Sequence, residues 1–484
     1  MVLAVLLVTL ARSAVLVLWE GAHFNGNQAV IGLMAKHLAE MRAFPVFIYG
    51  QHYMLAVEAW LAAPVFLIAG ATVTALKIPL LAMNLATAWL LVRTLQKEVG
   101  LAPAQAAVAA VFFVLPGPGT AARLLEPSGG TLEPLVYVLV LWLTRRRPVW
   151  CGLVLGIGFL NREFTIYGFV GLAGIAVVNR SLFTRQAVRQ FATIVSVAAA
   201  VWGGVLIGSR HASAMGPGTT GADLPGRAAA PIEVAHRVCI DWRAVPQGYL
   251  QIVSVHWPLL FATERVPIRR FEIDSNVVQG APGAGLVLGV AMLLATLRVM
   301  TWLVRERHWC RQNDFCAYLV LVGALSVSGY VIGRCGVISP VKMRYDMLSI
   351  LGAIGLAAWY LRVERLTWLR RSWTALVLIW AIVAANAHCR LLAEYIAGAP
   401  AGGKRLITNA LQARGIAYAT APYDTAYQVT FLSSERITVA SSSRVRVLAY
   451  QREFRAHRAE AVRIERRWCP AGVEPIPGVY FCPP

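Results

Sequence analysis

Apolar stretches and basic connections alternate along this chain, and that alternation confines it to a bundle of membrane-crossing helices. The apolar stretches fall roughly at residues 1–20, 77–95, 102–117, 131–144, 149–161, 164–178, 192–209, 283–304, 315–333, 346–362 and 372–388. Between them, five short connections hold most of the positive charge: Arg93/Lys97, Arg145/Arg146/Arg147, Arg180/Arg185/Arg189, Arg305/Arg307/Arg311 and Arg362/Arg365/Arg370/Arg371. By the positive-inside rule these connections are cytoplasmic. With the N-terminus inside, about eleven crossings satisfy that bias for all of them. Several stretches are shorter than the roughly 20 residues a spanning helix needs, so helices must extend into their flanks. Segment 53–71 is equally apolar, but counting it as a crossing would move the basic loops outside. It is therefore read as an interfacial or re-entrant helix on the outer face, a reading that Glu58 within it favours. The expected fold class is an all-α polytopic membrane bundle.

Composition agrees. Hydrophobic residues make up 58% of the chain and charged residues 14%, against roughly a quarter charged in soluble domains. The net charge of +21 would suggest nucleic acid in a soluble chain. Here it is topology signal and attraction to anionic lipid, because no soluble segment interleaves basic residues with aromatics. The predominance of arginine over lysine fits a GC-rich bacterial genome, which makes the chain a multi-pass protein of the inner membrane and the outer side the periplasm. Segment 1–20 lacks a basic leading region and carries Arg12, so it resembles a signal anchor in which Arg12 either snorkels or marks a start further upstream.

The chain divides into a membrane domain, 1–388, with outer loops at 21–76 and 210–282, and a periplasmic tail, 389–484. Ala212 to Pro231 is Gly/Ala/Pro-rich and reads as flexible. It leads into Val238–Tyr249 and a Trp257–Phe261 patch suited to the membrane surface. In the tail, Lys404–Arg414 is a helical stripe ended by Gly415, while 416–421, 428–431 and 437–440 read as strands, giving a small α/β domain. Cys151 and Cys316 lie in spans as small apolar residues. Cys469 and Cys482 bracket a Pro/Gly-rich end on the oxidising side and are expected to form a disulfide. No cysteine or histidine spacing suggests structural zinc.

The candidate chemistry lies at the outer ends of the helices. His23-Phe24-Asn25-Gly26-Asn27-Gln28 precedes a segment with apolar residues at 30, 33, 34, 38 and 41, and with Lys36, His37 and Glu40 opposite them. That spacing predicts an amphipathic helix lying on the membrane. Asn27 stands at the N-cap position, either simply capping or presenting, with the free helix amides, a site for an anionic ligand. A polar-aromatic turn, Tyr49-Gly50-Gln51-His52-Tyr53, follows, with His52 either a surface histidine or a ligand contact. Glu126-Pro-Ser-Gly-Gly-Thr-Leu-Glu133-Pro134 places one carboxylate in a loop and another at a helix start. Asn161-Arg162-Glu163 interrupts an apolar stretch, and Lys342-Met-Arg344-Tyr345-Asp346 opens another helix. Ionisable groups at membrane depth are functional candidates by default. The alternatives are an Arg162–Glu163 ion pair, and Asp346 pairing with Arg344 or capping its helix. Convergence of carboxylates and cations from separate segments on one face points to a shared ligand.

Phe24–Tyr53, Glu133-Pro134, Asn161-Arg162-Glu163-Phe164 and Arg344-Tyr345-Asp346, in that order, resemble the GT-C glycosyltransferases. These include protein O-mannosyltransferases, lipid A aminoarabinose transferases and a bacterial family 39-like group. The resemblance covers most of residues 20–390, and Ala421-Pro-Tyr423 with Thr430-Phe-Leu-Ser-Ser-Glu435-Arg436 looks like the tails of that bacterial group. It implies transfer of a sugar from a polyprenyl-phosphate donor, bound from the bilayer, to an extracytoplasmic glycan or lipid acceptor. An inverting displacement needs a base on the acceptor hydroxyl and cations on the departing phosphate. The resemblance offers Arg162, Lys342 and Arg344 as those cations, with Asn25, Gln28, His52 and Tyr53 as further substrate contacts, and leaves room for a divalent metal. Where the family carries its first-loop Asp, this chain has Asn27, and a neutral amide cannot take a proton. Either Glu58, Glu133 or Glu163 substitutes, or the protein is a catalytically silent relative that binds a lipid-linked glycan. A transporter is the third reading, though the halves of the chain show no repeat.

Overall fold

The computed structural model describes residues 1–212, 240–262, 283–306, 311–333, 344–400 and 402–484. The chain is mostly helical with a small C-terminal sheet, and it is a multi-pass membrane protein. Among the described residues five helices are long and apolar enough to cross a membrane, six if one bent pair counts as a span, and six more apolar helices are shorter. All but the first residue of the Ala212–Pro231 run, and Lys342, lie outside the described residues.

In chain order the first elements are α1 (Val2–Leu18), α2 (Gly26–Ala39), a hairpin of β1 (Phe47–Ile48) and β2 (Gln51–Leu55), α3 (Val57–Ala69) and α4 (Val73–Thr94). Next come α5 (Pro103–Val114), α6 (Pro118–Leu124), α7 (Glu133–Thr144), α8 (Pro148–Asn161), α9 (Ile166–Val178) and α10 (Arg185–Ala212). The bundle closes with α11 (Val245–Gln251), α12 (Gly283–Arg305), α13 (Asp314–Gly333), α14 (Ser349–Val363) and α15 (Thr367–Gly398). Close helix approaches use glycine: Gly323 of α13 meets Gly352 of α14 backbone to backbone, and Gly152 and Gly156 of α8 lie under Val197 and Val201 of α10. Small residues let helices associate where lipid supplies no hydrophobic drive.

Arg12 does not snorkel. It is 2% exposed, with a hydrogen bond to the Asn84 side chain (2.7 Å) and one to the Val114 carbonyl (3.2 Å). Val114 ends α5, which meets α6 at a bend of 81°. A broken helix frees carbonyls that need donors in an apolar interior. Arg12 serves Val114, His388 the Pro116 carbonyl (2.8 Å) and Asn84 the Leu124 carbonyl (2.8 Å).

The tail comprises α16 (Gly403–Ala413), β3 (Tyr418–Ala421), α17 (Tyr423–Leu432), β4 (Thr438–Ser441), α18 (Leu448–Ala456), β5 (Val462–Glu465), β6 (Val473–Ile476) and β7 (Val479–Cys482). The strands form one sheet in the order β4-β3-β5-β7-β6, parallel across β4-β3-β5 and antiparallel beyond. Cys469 and Cys482 are disulfide-bonded. Residues 428–431, read from the sequence as a strand, belong to helix α17. Every residue from Thr425 to Leu432 is buried, so no helical stripe marks the segment.

Two readings of the first loop are corrected. Asn25, not Asn27, caps α2, its side-chain oxygen accepting the Asn27 and Gln28 amides at 3.0 and 3.1 Å. Nor does α2 lie exposed on a membrane surface: it is packed between α3 and α17 of the tail. Phe24, Leu33, Met34 and Phe66 share one core with tail residues Tyr427, Phe431 and Tyr450. A Cβ on Gly32 would stand 2.5 Å from the Phe431 ring, so α2 accepts the tail only with glycine there.

Candidate active site beneath the tail domain

The loop between α6 and α7 organises the site. Gly129 and Gly130 both have positive φ, +85° and +93°, a conformation that glycine adopts without steric cost. It turns two successive amides toward Glu58, in the first turn of α3, which accepts them at 2.6 and 3.4 Å. Such a pair of amides forms an anion-holding concavity. Glu133, the first residue of α7, brings a second carboxyl against the first. Both are at most 1% exposed. Burial and then the neighbouring Glu133 charge raise Glu58 well above the usual carboxylate range, against the pull of the Gly129 and Gly130 amides. Two carboxyls are thus held side by side out of water, where each disfavours charge on the other. Oε1 of Glu133 has no hydrogen-bond partner.

Arg162 lies across the same loop. Its Nε reaches the Gly130 carbonyl at 3.4 Å, Nη1 stands 3.4 Å from the Met54 sulfur, and the guanidinium sits over the rings of Phe164 and Tyr345 at 5.7 and 5.9 Å. Arg162 is 7% exposed, and among the described residues no carboxylate lies within ion-pair distance of it. The Arg162–Glu163 pair allowed by the sequence is therefore absent. Aromatic faces and a carbonyl hold a guanidinium in place but leave its charge unneutralised. Arg344 approaches Tyr345 from its other neighbour position, over the ring at 5.1 Å and with Nη2 3.2 Å from the hydroxyl. Tyr345 thus has both arginines against it, and Arg162 joins it to the Gly129–Gly130 loop.

The remaining expected site residues are placed otherwise. Asn27 belongs to the tail contact, its side-chain oxygen accepting the Tyr423 hydroxyl at 2.8 Å. Asn25 donates to Glu126 at 2.8 Å. Gln28 is fully buried with neither amide atom hydrogen-bonded. Glu163 starts the short 3-10 turn Glu163–Thr165 and is half-buried, with no hydrogen bond to Glu58 or Glu133 among the described residues. His52 and Tyr53 lie in β2, their side chains outside the described residues. Asp346 neither caps α14 nor bonds to Arg344; it is fully buried, and neither carboxyl oxygen has a hydrogen-bond partner.

The sequence marked Glu126 as a loop carboxylate, but not the cluster that forms around it. This carboxylate accepts from Arg123 at 2.7 Å, His23 at 3.3 Å and Asn25 at 2.8 Å. Burial alone would raise it, yet Arg123, His23 and Asn25 together hold it well below the usual range. Lys77, buried in α4, donates to the Leu16 and His23 carbonyls at 2.8 and 2.5 Å. The one lysine inside an apolar stretch was the available signal. The Glu126 cluster is saturated, whereas the Glu58–Glu133–Arg162 group retains a carboxyl oxygen without a hydrogen bond and an arginine without a carboxylate partner among the described residues. That group can exchange a proton and hold an anion. Among the described residues no three His, Cys, Asp or Glu side chains gather as a ligand set for a metal.

No family model and no curated protein matches the chain. Two solved crystal structures of ArnT from Cupriavidus metallidurans are similar to it. The one bound to undecaprenyl phosphate has a TM-score of 0.44 and 12% identity, covering 96% of this chain and 93% of that one. The apo structure has a TM-score of 0.44 and 10% identity, covering 96% and 92%. A likeness this loose does not align individual residues.

Proposed function

We propose that this protein is a membrane glycosyltransferase that moves a sugar from a polyprenyl-phosphate donor to an extracytoplasmic glycan or lipid acceptor. The observation that carries the proposal is a buried pair of adjoining carboxyls beside a buried arginine that has no acidic partner among the described residues. The pair takes the proton of the acceptor hydroxyl as that oxygen bonds to the anomeric carbon. The sugar–phosphate bond breaks with its electrons on the phosphate, which Arg162, with Arg344, holds as it departs. Asn27 is no base, since its amide cannot accept the proton and its oxygen already receives Tyr423. Glu58 and Glu133 fill that role.

The accompanying topology is about eleven crossings of a bacterial inner membrane, with the basic loops cytoplasmic and the tail periplasmic. The polarity of α7 supports it: Glu133 begins the helix in the site, and Arg145–Arg147 follow its far end. Helix α4 runs the same way, from Lys77 near the site to Arg93.

The test is transfer by the purified, lipid-reconstituted protein from a panel of undecaprenyl-phosphate-linked pentoses and hexoses. Glu58→Gln or Glu133→Gln should lower the rate by roughly 10²–10⁴-fold, the usual worth of a general base. Arg162→Ala should chiefly weaken donor binding, and Asn27→Asp should gain nothing. Full activity in both Gln variants would place the base elsewhere. Undecaprenyl phosphate binding that depends on Arg162, without transfer from any donor, would leave a binding protein; neither binding nor transfer would end the proposal.

A further inference from the structure

We infer that the tail completes the site, and that Arg446 is the positioning residue through which it does so; the inference rests on the reading of Glu58 and Glu133 given above. Arg446 lies in the tail segment between β4 and α18, is 5% exposed, and has no carboxylate within ion-pair distance among the described residues. Its guanidinium is spent on the turn of the first-loop hairpin. Nη1 donates to the Gly50 carbonyl at 2.9 Å and approaches that of Tyr49 at 3.5 Å. The Gln51 side-chain oxygen, in the amide orientation its surroundings require, accepts from Nη1 at 2.9 Å and from Nη2. Gly50 has a φ of +65°, and a Cβ there would stand 3.1 Å from the Arg446 side chain. The turn is shaped around this one residue.

The tail fixes Arg446 in return. The Tyr427 hydroxyl accepts the backbone amides of Arg446 and Val447 at 2.5 and 3.2 Å, and the guanidinium lies over the Tyr423 ring at 5.9 Å.

What the hairpin delivers is the site itself. Met54 of β2 meets Arg162 at 3.4 Å, and a Cβ on Gly129 would fall 2.4 Å from the Met54 methyl. The Leu55 carbonyl accepts from Asn161 at 3.2 Å, and Glu58 follows three residues later. From Gly50 to Glu58 the chain runs directly from the grip of Arg446 to the carboxyl pair, so releasing the turn frees Glu58 to drift from Glu133 and the Gly129–Gly130 amides. A misplacement of about 1 Å at a catalytic group costs on the order of 10²-fold in rate.

The experiment compares Arg446→Ala, Arg446→Lys and Arg405→Ala in the full-length reconstituted protein. Arg405 ties the tail to Glu20, just past the end of α1 and outside the hairpin, at 2.9 and 2.5 Å. Hydrogen exchange at residues 47–56 should quicken at least tenfold in Arg446→Ala, less in Arg446→Lys, and stay as wild type in Arg405→Ala. Transfer should follow the same order, with kcat reduced on the order of 10²-fold in Arg446→Ala and undecaprenyl phosphate binding within twofold of wild type. If Arg446→Ala fails to fold, the Lys variant carries the comparison. Unchanged hairpin exchange in both Arg446 variants overturns the inference, as does an equal effect from Arg405→Ala, which would make the tail a general stabiliser. Absence of transfer in the wild type would instead count against the glycosyltransferase reading, and the exchange data would still decide the role of Arg446.

Discussion

Glu435 is the strongest single tie between the tail and the first loop, and replacing it should loosen that junction by an amount the contacts themselves set. Its carboxylate accepts from Lys36 at 2.5 Å, His37 at 2.9 Å, Tyr450 at 2.8 Å and Arg42, while 13% of the side chain is exposed. Removing one partner of a fully buried ion pair costs about 3–5 kcal/mol, because the other charge is left alone. Here the cations keep alternatives: Lys36 and Arg42 retain Glu40 at 2.9 and 2.6 Å, and His37 retains the Tyr49 hydroxyl at 2.9 Å. Glu435→Gln should therefore cost less, about 2–3 kcal/mol, the worth of one or two hydrogen bonds to a charged group. Ser434 and Glu435 both have positive φ, 53° and 65°, a conformation costing a residue with a Cβ about 1–2 kcal/mol. Glu435→Gly should then be less damaging than Glu435→Ala by about 1 kcal/mol. Hydrogen exchange at the C-terminal turn of α2 in the full-length protein reads the junction. The pH dependence has a definite sign. Burial would raise Glu435, but His37, Lys36 and Arg42 hold it far below its ordinary 4.5. A depressed folded value means that the stabilisation is complete above the ordinary value and is lost as pH falls below it. Wild-type protection should hold from neutral pH down to that point and decline beneath it, and Glu435→Gln should lack the decline. Protection in Glu435→Gln within 0.5 kcal/mol of wild type, a margin set by the spread of ordinary surface changes, would refute the reasoning.

Arg12→Ala should destabilise the bundle by about 2–4 kcal/mol, since it orphans the Val114 carbonyl and the Asn84 side-chain oxygen in an apolar interior; a melting temperature at or above wild type would mean that the buried charge costs more than the break it serves. Reducing the disulfide or replacing Cys469 and Cys482 by Ser should cost the tail about 3 kcal/mol in the chain-entropy picture, and thiol labelling of both residues in unreduced, denatured protein would contradict the bond. Phosphatase and fluorescent reporter fusions after Arg147, Arg307 and Pro484 check the topology: the first two should lie inside and the last outside, and a reversed pattern would undo the charge argument.

Which parts of this molecule could be read from its residues follows from how local each determinant is. Helices such as α7 and α14 announce themselves through apolar runs with basic ends, and α16 through its amphipathic stripe closed at Gly415. Glu58, Glu133, Arg162 and Arg344 stood out because charge is rare in such surroundings, and the structure gathers them around Tyr345 and the Gly129–Gly130 turn. Glu163 stood out for the same reason, and Asn27 for its place at a helix start and in the family pattern, yet neither is hydrogen-bonded to the carboxyl pair among the described residues. Charge alone does not reveal a partner hundreds of positions away: Asn27 is taken by Tyr423, and Glu435 takes Lys36 and His37.

The misreadings share one cause. Local pattern reports which face of an element meets apolar surroundings, but not whether the other face meets water or protein. Helix α2 has the stripe of a surface helix, yet its polar side is covered by the tail, which supplies Glu435 to match. Helix α17 has no stripe because α2 lies on one side and the tail sheet on the other, so its burial is complete and its period vanishes. Each element was illegible because it faces the other, and their junction carries Arg446 to the hairpin. A tail docked by charge, by a glycine–phenylalanine contact at Gly32 and by a turn wrapped on Arg446 is bound to the first loop from Gly26 to Gly50. A change at that interface should therefore be felt first in the hairpin and in Glu58, before it is felt in the helices that cross the membrane.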